Sequence, residues 1–122
     1  MATMSGRFNT ISLVADEALT AHTFVTLSAD AEAAYVAAST ADAIGVTYGA
    51  ADAAKMVTVQ VDGIAMVKAG AAIAAGAAVT SADDGEAVTA TTGDYQHGYA
   101  LEAASGAGEI ISVLLKPAGI AA

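Results

Sequence analysis

The sequence predicts an all-β fold: a small β-barrel or β-clip-like domain built from two pseudo-repeated halves, with at most one-turn helices and an extended N-terminal arm. Three observations carry the prediction. The strongest segments alternate with period two and favour β-branched residues. From Met56 to Val61, Val57, Val59 and Val61 face one way while Met56, Thr58 and Gln60 face the other, as in a half-buried strand. Turn-forming stretches such as Ser28 to Glu32, Ala82-Asp83-Asp84-Gly85-Glu86 and Ser105-Gly106-Ala107-Gly108 separate these segments. The chain also repeats itself. Lys55-Met56-Val57-Thr58-Val59 aligns with Glu109-Ile110-Ile111-Ser112-Val113 at an offset of 54 (113 minus 59), and Val25-Thr26 aligns with Val79-Thr80 at the same offset. Ser28-Ala29-Asp30 lies opposite Ser81-Ala82-Asp83, and Gly45 opposite Gly98, at an offset of 53 (98 minus 45). Each unit is too short to bury a core alone, so the two halves are expected to share one.

Taken in order, residues up to Phe8 belong to neither copy and are read as the arm. Strands are then expected at Thr10 to Val14, Thr23 to Leu27, Ala34 to Ala37, Ala43 to Tyr48 and Met56 to Val61. Asp62-Gly63 sits where a two-residue hairpin turn would join Met56–Val61 to Ile64–Lys68, with Gly absorbing a positive φ. The second copy offers Ala77 to Thr80, Ala87 to Ala90 and Gln96 to Leu101. A last strand puts Ile111, Val113 and Leu115 on the core face before Lys116 and Pro117 end it by withdrawing a ladder donor. Alanine raises the helical prior at Ala50 to Lys55 and Ala71 to Ala75, but both stretches are too short for more than one turn. The organisation is a single domain over residues 1–122, with the arm at 1–8, a first pseudo-repeat at 19–64 and a second at 73–120.

Composition narrows the function. Four Lys and Arg against thirteen Asp and Glu give a formal net charge of −9, which argues against nucleic acid or an anionic membrane surface as a partner. With no Cys, disulfides and thiolate chemistry are excluded. Much of the 56% hydrophobic content is Ala, and aromatic residues make up only 5%, so the core is thin. A mean hydropathy of +0.58 nevertheless implies apolar surface that a monomer would leave wet, as in a subunit of an assembly. The start lacks a signal-peptide core and no apolar run reaches membrane-spanning length, so a soluble, non-secreted protein is expected.

Candidate chemistry is sparse. His22 and His97 have no second ligand at a metal spacing, and Asp94 and Glu102 flank His97 without an activated nucleophile nearby. Asp83-Asp84-Gly85-Glu86 lacks the alternating ligands of a calcium loop, and Gly106 and Gly108 belong to a connection between strands rather than a phosphate loop. No catalytic residue, cofactor or metal is expected, and an enzyme is not. Lys68, in Ala65-Met66-Val67-Lys68, resembles the modified lysine of biotinyl and lipoyl carrier domains, which are likewise small β folds with internal two-fold similarity. It departs from the biotinyl pattern, which has Met on both sides, and it ends a strand instead of occupying the Asp62-Gly63 turn. A small sugar- or peptide-binding barrel would need an aromatic platform, whereas Tyr35, Tyr48, Tyr95 and Tyr99 are spread over both halves.

The second copy carries a family resemblance. Ile73-Ala74-Ala75-Gly76-Ala77-Ala78-Val79-Thr80, then Gly85-Glu86-Ala87-Val88-Thr89-Ala90, then His97-Gly98-Tyr99-Ala100-Leu101-Glu102-Ala103-Ala104, and finally Glu109 to Leu115 together resemble the head decoration, or capsid cement, proteins of tailed bacteriophages. The likeness covers Gly63 to Pro117 well and the first half more loosely. It implies a β-rich homotrimer that binds the major capsid protein on the outer surface of the virion, after synthesis in the host cytoplasm, and holds the shell against internal DNA pressure. It also implies an N-terminal segment that reaches onto the capsid, often adding a strand to it, which fits Met4 to Val14 here. The capsid-binding residues so assigned are Met4, Ser5, Gly6, Arg7, Phe8, Asn9, Thr10 and Ile11.

Overall fold

The computed structural model describes residues 9–29, 32–35, 43–82 and 84–120. Ten strands make up its regular structure: β1 (Thr10–Ala15), β2 (Phe24–Ala29), β3 (Glu32–Tyr35), β4 (Gly45–Thr47), β5 (Met56–Gln60), β6 (Gly63–Lys68), β7 (Ala78–Ser81), β8 (Ala87–Thr89), β9 (Tyr95–Ala100) and β10 (Ile110–Ile120). The expected strands are all present, with shifted ends. Residues 36 and 37 of the expected third strand lie outside the described residues. No described residue is helical, and the two alanine-rich stretches form turns and isolated bridges instead. Leu19 and Ala51 exchange backbone hydrogen bonds of 2.8 and 2.9 Å, as do Ile73 and Ala104 at 2.9 Å, so sheet pairing claims the backbone that a helical turn would have used.

The duplication governs the topology. The first five strands close into a barrel in the order β1-β3-β2-β4-β5, and β5 pairs back onto β1. The last five form a sheet in the order β6-β10-β9-β7-β8. Read from β3 and from β8, the two orders are the same: β3-β2-β4-β5-β1 and β8-β7-β9-β10-β6. They differ at the seam. In the first half β1 and β3 pair in parallel through Val14↔Glu32 and Ala15↔Ala33. In the second, among the described residues, only Ala69↔Ala87 remains, also parallel, and both residues lie 54 beyond their counterparts (69 minus 15, 87 minus 33).

Two local devices recur with the strands. A Cβ on Gly45 would lie 2.3 Å from the Gln60 carbonyl oxygen, and one on Gly98 would lie 2.1 Å from that of Leu114. Both strands therefore need glycine where they cross their neighbour, which explains why this pair survived in the sequence. The backbone also turns left-handed at His22 (φ 66°) and Ala54 (φ 69°), where the second copy has Gly76 (φ 84°) and Gly108 (φ 93°). The first copy thus holds at a steric cost what the second obtains without one.

The packing corrects the expectation of one shared core. Leu13, Ala15, Leu19, Val25, Ala33, Val57 and Val59 fill the first barrel. A second cluster contains Ala65, Val67, Ile73, Val79, Ile111 and Val113 from the second half, together with Phe24 and Val46 from the first. The physical cause is the period of the strand: Val25 points into its own barrel, so its neighbour Phe24 points out of it and into the other half. Main-chain bonds fasten the same seam, with Phe24 N–H donating to the Gly85 carbonyl at 2.8 Å and Lys68 N–H donating to that of His22 at 2.8 Å.

Asp62-Gly63 does not make a hairpin. Gly63 takes the positive φ expected of it, 83°. However, β5 pairs with β1 and β4 while β6 pairs with β10, so the corner is a crossover between sheets. Gln60, expected on the outer face, is 1% exposed, and its amide donates to the carbonyls of Asp62 at 2.9 Å and Ile64 at 3.0 Å. It supplies hydrogen bonds that a hairpin ladder would have made. Nor does Pro117 end the last strand. β10 runs on to Ile120, and the register with β9 shifts between Leu115↔Gly98 and Gly119↔Gln96. The proline lies in this bulge and beyond the last β6 pair, Leu115↔Gly63, where no ladder donor is required of it.

Candidate functional site

The arm residues divide at Asn9. Met4, Ser5, Gly6, Arg7 and Phe8 lie outside the described residues. Asn9 is clamped to Asp62: its backbone N–H donates to Oδ1 at 2.6 Å and its side-chain amide to Oδ2 at 2.7 Å. Val61 N–H in turn donates to the Asn9 carbonyl at 3.0 Å. Thr10 and Ile11 are already part of β1, opposite Gln60 and Val59. Residues 10–14 thus pair with β5 along one edge, while β3 meets β1 only at Val14 and Ala15. The Asn9–Asp62 clamp was missed from sequence because Asp62 reads as a turn residue, and nothing local tells which segment its carboxylate will meet.

The other candidates each have a structural task. His22 sits in the turn before β2, with its N–H on the Thr47 carbonyl at 2.9 Å. His97 is buried on β9, its ring centroid 5.0 Å from that of Phe24, in an apolar crevice lined also by Ile44, Val61 and Leu115. Asp94 accepts from the N–H and hydroxyl of Thr91 at 2.9 and 3.0 Å, and Glu102 accepts from Ser112 N–H at 3.2 Å. Among the described residues no group of three potential metal ligands converges. Asp84 accepts from Glu86 N–H at 3.1 Å, closing the turn whose Gly85 carbonyl receives Phe24.

Lys68 lies within the β6–β10 ladder opposite Ile110, and its ammonium is 3.3 Å from a Glu86 carboxylate oxygen. That is a paired strand position, unlike the projecting turn a carrier lysine requires. The tyrosines occupy separate places: Tyr35 on β3, with its hydroxyl accepting from Thr20 N–H at 2.9 Å, Tyr48 just after β4, and Tyr95 and Tyr99 on β9. Glu109 caps the 105–109 turn, receiving Ser105 N–H, the Ser105 hydroxyl and Gly106 N–H. The Ser105 hydroxyl, followed by the two backbone donors, holds the Glu109 carboxyl below the ordinary range for a glutamate.

What the surface offers instead is apolar. Ile11, Leu27, Tyr48, Met56, Leu101 and Ile110 are large and exposed. Such side chains favour interaction surfaces over catalysis.

Comparison with known proteins agrees with that emphasis. A family model for phage cement proteins matches residues 5–116. Among solved structures, the crystal structure of the head fiber gp8.5 N base in bacteriophage phi29 matches with a TM-score of 0.75 at 21% identity, covering 90% of this chain and 95% of that one. At this identity the likeness establishes a shared fold. No curated protein sequence matches.

Proposed function

The chain belongs to the phage cement protein family, with a structural role associated with the capsid, and we propose that it binds the outer surface of a tailed-phage shell as a homotrimer. The family match over residues 5–116 carries the reading. In this role the protein clamps neighbouring copies of the major capsid protein and opposes the pressure of packaged DNA. It is made in the host cytoplasm and acts on the outside of the virion, as a single domain with two pseudo-repeated halves. The formal net charge of −9 supports a place away from DNA phosphates, and exposed Tyr48, Met56, Leu101 and Ile110 support burial against other subunits. Many copies on one lattice reinforce each other, so each contact can be modest.

The capsid-binding arm in this reading is residues 1–8, rooted where Asp62 fixes Asn9 beside the crossover. The clamp residues and all ten strands lie beyond residue 8 in the sequence. Capsid binding by the truncated protein should be lost in a sedimentation assay, while its oligomeric mass stays that of the full chain. Unchanged affinity would refute the arm assignment.

A further inference from the structure

Among the described residues six large apolar side chains are exposed, and four of them form two pairs related by the internal repeat. Tyr48 corresponds to Leu101 (101 minus 48 is 53) and Met56 to Ile110 (110 minus 56 is 54). The backbone places them identically. Tyr48 N–H donates to Thr58 at 2.8 Å and Leu101 N–H donates to Ser112 at 2.9 Å, while Met56 lies opposite Val14 on β1 and Ile110 opposite Lys68 on β6. Tyr48 is 47% exposed, Met56 62%, Leu101 48% and Ile110 42%, so each half presents the same apolar patch on its outer strand face. Neither the barrel interior nor the seam between halves uses these residues.

The charge beside the patch is reversed between copies. Lys55 precedes Met56, and at the same repeat position Glu109 precedes Ile110. Glu109 stays ionised through its Ser105 and Gly106 donors. Asp52 shares the turn of Lys55, through its carbonyl at 3.1 Å from Lys55 N, and no carboxylate among the described residues forms an ion pair with the Lys55 ammonium. In the second patch Lys68, opposite Ile110, is held by Glu86 at 3.3 Å, and Glu109 places a negative charge beside Ile110.

We propose that the Tyr48–Met56 patch of one copy packs against the Leu101–Ile110 patch of the next, head to tail, so that the subunits close into a ring. Pairing like patches would set Lys55 against Lys55 or Glu109 against Glu109, whereas pairing unlike patches sets Lys55 against Glu109. Contacts between two different surfaces generate closed rings when the rotation closes and open filaments when it does not, and a homotrimer is the closed case. The inference rests on the homotrimer reading above and names the surface that builds it.

Two variants separate the alternatives. Met56→Glu spoils only the first patch and Ile110→Lys only the second, each at an exposed side chain, with folding checked by circular dichroism. Native mass spectrometry should show the wild type as a trimer and each variant alone as a monomer. An equimolar mixture should give a one-to-one dimer, because each variant keeps the patch that the other has lost. A monomeric wild type would refute the homotrimer reading itself. A trimeric wild type with variants of unchanged mass would leave that reading standing and overturn the patch assignment, and a mixture that stays monomeric would show that the two patches do not meet. Lys55→Glu, on a side chain with no packing role, should raise the trimer dissociation constant by about tenfold at low salt. An unchanged constant would overturn the charge matching.

Discussion

Replacing Phe24 with alanine probes how the two halves depend on each other. Phe24 belongs by sequence to the first half, is fully buried, and packs in the cluster with Ala65, Val67, Val79 and Val113 of the second. Its repeat counterpart is Ala78, so the second half offers no equivalent ring in return. Removing a buried phenyl ring costs about 3–5 kcal/mol in transfer and cavity terms together. Against a typical total of about 5–15 kcal/mol, that is a large fraction of the stability. Urea unfolding of Phe24→Ala should therefore show a much lower midpoint at an unchanged slope. Hydrogen exchange should locate the damage: amides of β6, β7, β9 and β10 should lose protection before those of β1 and β5, whose own core at Leu13, Val57 and Val59 is untouched. A loss below about 1 kcal/mol, or exchange that rises first in β1 and β5, would refute the view that the first half completes the core of the second.

The glycine crossings and the 105–109 turn give further tests. Gly98→Ala would drive a methyl group to 2.1 Å from the Leu114 carbonyl oxygen and should destabilise the fold by roughly 2 kcal/mol or more, whereas Gly49→Ala, with nothing within 4 Å, should stay within about 0.5 kcal/mol. Equal melting temperatures for these two variants would contradict the register of β9 on β10. Because hydrogen bonds from Ser105 and Gly106 lower the Glu109 pKa in the folded state, the contribution of this cap is fully present above the unfolded value near 4.5 and is lost as pH falls through the lower folded value. Acid titration followed by NMR should show the Ser105 and Gly106 amides shifting together at that lower pH. Glu109→Gln should abolish the shared transition, and its persistence would assign the titration to another group.

The strands were legible because each exposes its period. In β5 and β10 the β-branched residues at alternate positions are buried, Val57 and Val59 in one and Ile111 and Val113 in the other. Repetition added the pairing of Gly45 with Gly98, whose steric cause appears only when β4 meets β5 and β9 meets β10. What the local pattern could not provide was which strands become neighbours. Asp62-Gly63 has the chemistry of any sharp corner, and the same positive φ serves a hairpin or a crossover between sheets. Gln60 reads as an outward polar residue until the crossover buries it, and Pro117 reads as a stop until a bulge accommodates it. The proposed contact surface was only partly legible: alternation puts Met56 on the outer face of β5, whereas Tyr48 and Leu101 read as strand ends, and the fold shows that all four, with Ile110, lie outside both cores.

The central claim is that this duplicated β scaffold is a capsid-binding subunit, and co-sedimentation of the full chain with expanded and unexpanded capsids of its phage tests it most directly. Saturable binding to the expanded shell, with three copies per site, is the predicted result. Recovery of all the protein in the supernatant, with capsids intact and the chain folded, would contradict it.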